Sequence, residues 1–221
     1  MKFEAIIFDC DGVLVDSEAL GLEASTAYLK AHGFSWEAPD LVRLFTGFRD
    51  DVFAARLNEE YQRIHGTLPD DEFFRGLVNE RRARKHLLQT VPGVEAALDA
   101  ITQPIGVASS SRTEFLHGKL KRVDLFDRLA PHIYSADLVE HGKPAPDIFL
   151  YTAQKLEVAP EKCLVIEDSV NGVRAGLAAN MSVWGFTGGG HCFEGHGESL
   201  LDAGAEAIAP NFEQLQRMLK K

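Results

Sequence analysis

Five short apolar runs, "FEAIIF", "PIGVAS", "HIYSA", "CLVIE" and "SVWGF", decide what this chain can fold into. Each has the length of a buried strand, and beyond the punctuating "TVPG" strand and helix signals alternate. Such alternation points to parallel βαβ units and a sheet layered between helices. The first run stands apart from the rest. Between Ser17 and Leu88 the sequence carries helical periodicity and many charges, as in "EALGLEASTAYLKAHGF", "DDVFAARLNEEYQRIHG" and "DDEFFRGLVNERRARKHLL". The expected fold class is therefore α/β: a Rossmann-like three-layer core with a largely parallel sheet, plus a helical cap inserted after the first strand. Residues 1–16 and 89–221 form the core and 17–88 the cap.

In open parallel sheets ligands gather beyond the carboxyl ends of the strands. At those ends stand Asp9 and Asp11, then Ser109, then Glu167 and Asp168, while Lys143 lies in the loop before a helix opened by Pro146. Grouped carboxylates repel unless a proton or a cation sits among them. Asp9, Asp168 and Glu167, with the Asp11 backbone carbonyl, supply the oxygen shell that Mg²⁺ favours. Gly12 lets the backbone turn after the strand, so the two aspartates can take different stations. One can attack phosphorus while the other exchanges protons with the leaving oxygen and the incoming water. "SSSRTE", with Ser109 and Ser110, places hydroxyls and N–H groups at the start of a helix, where anions bind. Lys143 can reach both a transferring phosphoryl group and its nucleophile.

Composition narrows the partners. A net charge of -10 over 221 residues repels phosphate backbones, so no nucleic-acid partner is expected. A small phosphorylated metabolite fits, met by local cations. No apolar stretch nears the ~20 residues that span a bilayer, and three cysteines make no disulfide framework; a soluble, monomeric, cytoplasmic protein is expected. The basic run "RRARKH" reads as a solvated helix face. His191 and His196 flank Cys192 in "GGGHCFEGHGE", but with no second cysteine the spacing falls short of a structural zinc motif, and a loop role is expected.

"DCDGVLVDSE", "VASSS", "GKPAPDIF" and "VIEDSVNGVRAG", in this order and separation, resemble the four motifs of the haloacid dehalogenase superfamily. The position of the helical insert matches its helical-cap branch, which includes 6-phosphogluconate phosphatase and β-phosphoglucomutase. The resemblance implies that Asp9 is the nucleophile, Asp11 the acid/base, Ser109 a phosphate ligand and Lys143 the charge-stabilising lysine. It makes Asp168 and Glu167, with Asp9 and Asp11, the magnesium site. The founding dehalogenases lack an equivalent of Asp11, which argues against dehalogenation. Where the mutase carries a cap histidine this chain has Gly21, and its "TGFRDD" sets Arg49 one residue earlier than the mutase's distal-phosphate arginine. Gly47 and Arg49 are retained as expected substrate contacts. The implied activity is Mg²⁺-dependent hydrolysis of a small phosphomonoester, a sugar phosphate, through an aspartyl-phosphate. A phosphomutase and a non-catalytic phospho-ligand binder are the alternatives.

Overall fold

The computed structural model describes residues 3–45 and 50–220. Six strands, β1 Ala5–Phe8, β2 Ile105–Ser109, β3 Ile133–Ser135, β4 Cys163–Glu167, β5 Ser182–Phe186 and β6 Ala207–Ala209, form one sheet in the order β3-β2-β1-β4-β5-β6. Every pairing is parallel. β1 and β4 are buried at every position, which explains their unbroken apolar runs: a strand covered on both faces has no polar side to show.

Alternate strand residues feed two cores. Ala5, Ile7, Val165 and Val183 pack with Ile148, Phe149, Val173 and Leu200. Phe8 and Phe186 point the other way, onto the Phe212 ring at 6.4 and 4.8 Å between centroids. The expected three layers are present. β6 was missing from the sequence reading, because it is three residues long and only Ala209 of them is fully buried.

The chain divides into two compact units, Met1–Asp16 with Gln89–Lys221, and Ser17–Leu88. The second holds α1 Ser17–Ala31, α2 Ala38–Phe45, α3 Asp50–His65 and α4 Asp71–Ala83. Its core is its own, built from Leu29, Phe34, Leu41, Leu57, Phe73 and Leu77. Phe73 is the hub, with Tyr28, His32, Phe34, Tyr61 and Phe74 all within 6.1 Å ring to ring. Gly76 leaves room for the Tyr28 hydroxyl, which donates to the Phe73 carbonyl at 2.9 Å. Arg81, Arg82, Lys85 and His86 of the basic run are exposed.

In the first unit the remaining helices are α5 Val94–Ala100, α6 Thr113–Arg122, α7 Phe126–Leu129, α8 Asp147–Lys155, α9 Val170–Ala178, α10 His196–Asp202 and α11 Phe212–Leu219. The chain leaves this unit at Asp16 and returns at Gln89, and those two residues are hydrogen-bonded, Asp16 N to Gln89 O at 3.0 Å. Val15 also bridges to Thr90 in antiparallel fashion.

Candidate active site

Strand order puts the switch point between β1 and β4, since the chain continues to one side of β1 through β2 and to the other through β4. The register aligns the three strand ends: Phe8 lies opposite both Val107 and Ile166. Asp9, Ser109, Glu167 and Asp168 therefore emerge on one edge, in the crevice where doubly wound sheets bind ligands. All four are buried.

Lys143 ties this edge together. Its ammonium donates to Asp9 Oδ1 at 2.5 Å, Glu167 Oε1 at 2.6 Å and the Ala108 carbonyl at 2.9 Å, and it lies 4.8 Å from the centroid of the Phe149 ring. Three acceptors match the three N–H bonds of an ammonium. Burial alone would lower the Lys143 pKa, but Asp9 and Glu167 outweigh it and raise the value. Asp9 is pushed well above the usual carboxylate range, chiefly by burial; Lys143 opposes this, while Glu167, Asp168 and Asp11 add to it. Glu167 is further fixed by the backbone N–H and hydroxyl of Ser169, at 2.8 and 3.0 Å. Ser169 itself caps α9 by accepting from Gly172 N.

Gly12 follows directly on the second aspartate. Its φ of 80° is left-handed, and a Cβ there would overlap Asp168 Oδ2 and crowd the His191 ring. Just before this turn the Asp11 carboxylate faces partners different from those of Asp9: Lys119 Nζ donates to its Oδ1, and Ser111 Oγ donates to its Oδ2 at 2.8 Å. Lys119 also donates to Ser111 Oγ at 2.9 Å. The Asp11 side chain is thus engaged by Lys119 of α6 and by Ser111 just before that helix.

Ser109 and Ser110 stand where β2 gives way to α6. Ser109 ends β2 and its Oγ accepts from Ser111 N at 3.1 Å, so "SSS" is a strand-to-helix turn preceding the first turn of α6. Ser110 is exposed, and Ser135 Oγ holds the Ser111 carbonyl at 2.7 Å. The helix is capped from elsewhere, because Asp137 Oδ2 accepts from Thr113 N at 2.7 Å and from its hydroxyl at 3.1 Å. Gly47 and Arg49 lie outside the described residues.

Sequence reasoning missed Lys119, which comes from the middle of a helix. For His191 and His196 it expected a loop role, without their bonds to Asp168. His191 Nε2 donates to Asp168 Oδ2 at 3.0 Å, and His196 Nε2 donates to the Asp168 carbonyl at 2.6 Å. Burial lowers the His191 pKa, yet its bonds to Asp168 and Cys192 prevail and hold it at about 11. The only forewarning in the sequence was two histidines in one glycine-rich loop.

The donors suit a hard divalent cation. Asp9 and Asp168 offer buried carboxylate oxygens, and Asp9 is destabilised as an anion by burial and by three neighbouring carboxylates, a strain that added positive charge relieves.

Known proteins follow the same pattern. The haloacid dehalogenase-like hydrolase family matches residues 3–180. A phosphorylated carbohydrates phosphatase of Thermotoga maritima is 33% identical over 224 residues, covering 99% of both chains. The 6-phosphogluconate phosphatase of Escherichia coli is 25% identical over 200 residues, covering 90% of this chain and 87% of that one. The crystal structure of a haloacid dehalogenase family hydrolase from Deinococcus radiodurans, with bound phosphate and sodium, superposes with a TM-score of 0.86 at 32% identity, covering 99% and 95%. With four motifs at one sheet edge and these relatives along its length, the chain belongs to the haloacid dehalogenase-like hydrolase family.

Proposed function

We propose that this protein is a Mg²⁺-dependent phosphatase that hydrolyses a small phosphorylated carbohydrate through an aspartyl-phosphate on Asp9. The observation that carries the reading is the buried Lys143 ammonium shared between Asp9 and Glu167. A structural ion pair needs one partner for each charge. Here several carboxylates meet one lysine in a crevice at a switch point, an arrangement suited to handling an anionic ligand and a cation together. Relatives named as carbohydrate and 6-phosphogluconate phosphatases support the substrate class.

In this reading Asp9 Oδ attacks phosphorus in line with the ester oxygen, forming one P–O bond as the other breaks. Asp11, oriented by Lys119 and Ser111, gives its proton to the departing sugar oxygen. It then takes a proton from the water that attacks the acylphosphate, and phosphate leaves with Asp9 restored. Lys143 and the Ser109 turn hold the equatorial oxygens, whose charge stabilisation dominates phosphoryl transfer. Asp9, Asp168 and the Asp11 carbonyl, with Glu167 behind them, would hold Mg²⁺, which supplies positive charge against the carboxylates and the phosphoryl oxygens. We assign the helical unit the part of a cap that admits substrate and selects the leaving group, hinged near Asp16 and Leu88. No helix among the described residues is long and apolar enough to cross a membrane, and a monomer working in the cytoplasm is our reading.

The test is phosphate release from a panel of sugar phosphates with Mg²⁺, read beside isomer formation. Release without isomerisation, lost on chelation and in Asp9→Asn, is expected. An Asp9→Asn protein that turns over at the wild-type rate, or wild type inert toward the whole panel, would overturn the proposal.

A further inference from the structure

We infer that His191, Cys192 and His196 form a second cation site, selective for a borderline-soft divalent ion such as zinc, with its own ligands and adjoining the proposed magnesium carboxylates at Asp168. One ligand atom from each of the three side chains lies within 4.8 Å of the other two. The His191 ring is buried, the other two residues are partly buried, and the imidazoles stand perpendicular, 5.4 Å apart.

Hydrogen bonding orients both rings. The Asp168 carbonyl can only accept, so His196 Nε2 carries its proton, and the Asp168 carboxylate likewise takes the Nε2 proton of His191. Each ring then turns Nδ1 to a metal, which on binding takes the place of any proton held there. Imidazoles whose far N–H is held by a carboxylate or a backbone carbonyl are the usual metal-binding form, because the second bond fixes orientation and raises basicity. Both such partners here come from one residue, Asp168.

The third ligand is close. Cys192 Sγ lies 4.0 Å from His191 Nδ1 and 3.5 Å from its Nε2. Zn–S and Zn–N bonds of about 2.3 and 2.0 Å at a tetrahedral angle put sulfur and nitrogen about 3.5 Å apart, so a contraction of about half an ångström would bring Sγ and Nδ1 to ligand spacing, and His196 would have to draw in with them. All three ligands come from residues 191–196, so closure orders only a short loop. A sulfur and two nitrogens select zinc or cobalt over magnesium, which keeps to oxygen. Three protein ligands leave a fourth position for water.

The site does not depend on the phosphatase reading, and its test does not use turnover. Cobalt(II) is titrated into the full chain in excess Mg²⁺, with folding followed by circular dichroism. One equivalent should give the visible bands of a four-coordinate centre and a thiolate-to-cobalt charge-transfer band, both bleached by zinc. Cys192→Ser should lose the charge-transfer band, and His196→Gln should weaken cobalt binding by about 10–100-fold or more. Asp9→Asn should change neither. Absence of the charge-transfer band in the folded wild type, or its survival in Cys192→Ser, would overturn the assignment.

Discussion

Lys119 shows how one side chain can set the use of another. Its ammonium and the Ser111 hydroxyl pin the Asp11 carboxylate, while the first aspartate is held by Lys143. Two acids two positions apart thus acquire two environments, which is how similar groups come to hold different roles. Lys119→Met should lower kcat by about 10–100-fold with KM little changed, because a misplaced acid/base forfeits part of the 10²–10⁴-fold such groups supply. Rates unaffected by the substitution would make Lys119 merely structural. Lys143→Met should be more severe, costing on the order of 3 kcal/mol in the barrier. It should also lower stability, since Asp9 and Glu167 would stay buried without their cation. Steady-state kinetics and urea unfolding separate the two losses. Gly12→Ala tests the turn that follows the two aspartates. Left-handed strain of about 1–2 kcal/mol adds to the overlap with Asp168, so the variant should unfold at lower urea and require more Mg²⁺ for activity. A normal Mg²⁺ requirement would separate Gly12 from the metal site.

Among the elements, α6 carries Lys119 and starts beside the Ser109–Ser111 turn, so its first residue matters. Arg112, at the cap position, makes no capping side-chain bond; Asp137, 24 residues on, accepts from Thr113 in its place. These bonds, the backbone one foremost, lower the Asp137 pKa. A depressed carboxylate gives stability that is present above its unfolded pKa, about 3.9, and is lost as pH falls through the lower folded value. Asp137→Ala should therefore unfold more easily than wild type at pH 7, with the gap closing below about pH 4. A gap independent of pH would show that the carboxylate charge is not what holds the helix start. This pairing also marks where the sequence stops being readable. Asp9, Ser109, Glu167 and Asp168 could be placed because each ends an apolar run, and run ends are local information. The links from Lys119 to Asp11, from Asp137 to Thr113 and from His191 to Asp168 join segments that no periodicity connects. Of the strands, only β6 escaped, being too short and too exposed to form a pattern.

For the molecule as a whole, the division of labour follows from where the apolar residues go. The helical unit closes its own core around Phe73, and the α/β unit closes another against the sheet, so neither list of core residues borrows from the other. Every polar group gathered at the switch point, and the His191 loop behind it, belongs to the α/β unit. The two crossings between units leave from adjacent points, since Asp16 bonds to Gln89 and Val15 bridges to Thr90. A short Gly-Ser linker can therefore replace residues 17–88 without pulling β1 from its place, and closing so small a loop costs little entropy. If the chemistry resides in the sheet edge and selection in the helices, the excised protein should fold and release phosphate from a small aryl phosphate at a measurable, Asp9-dependent rate. Its kcat/KM values across sugar phosphates should converge, because the surface that discriminates among leaving groups is gone. Retention of the full-length preference order by a folded, excised protein would move specificity out of the helical unit and into the α/β crevice itself.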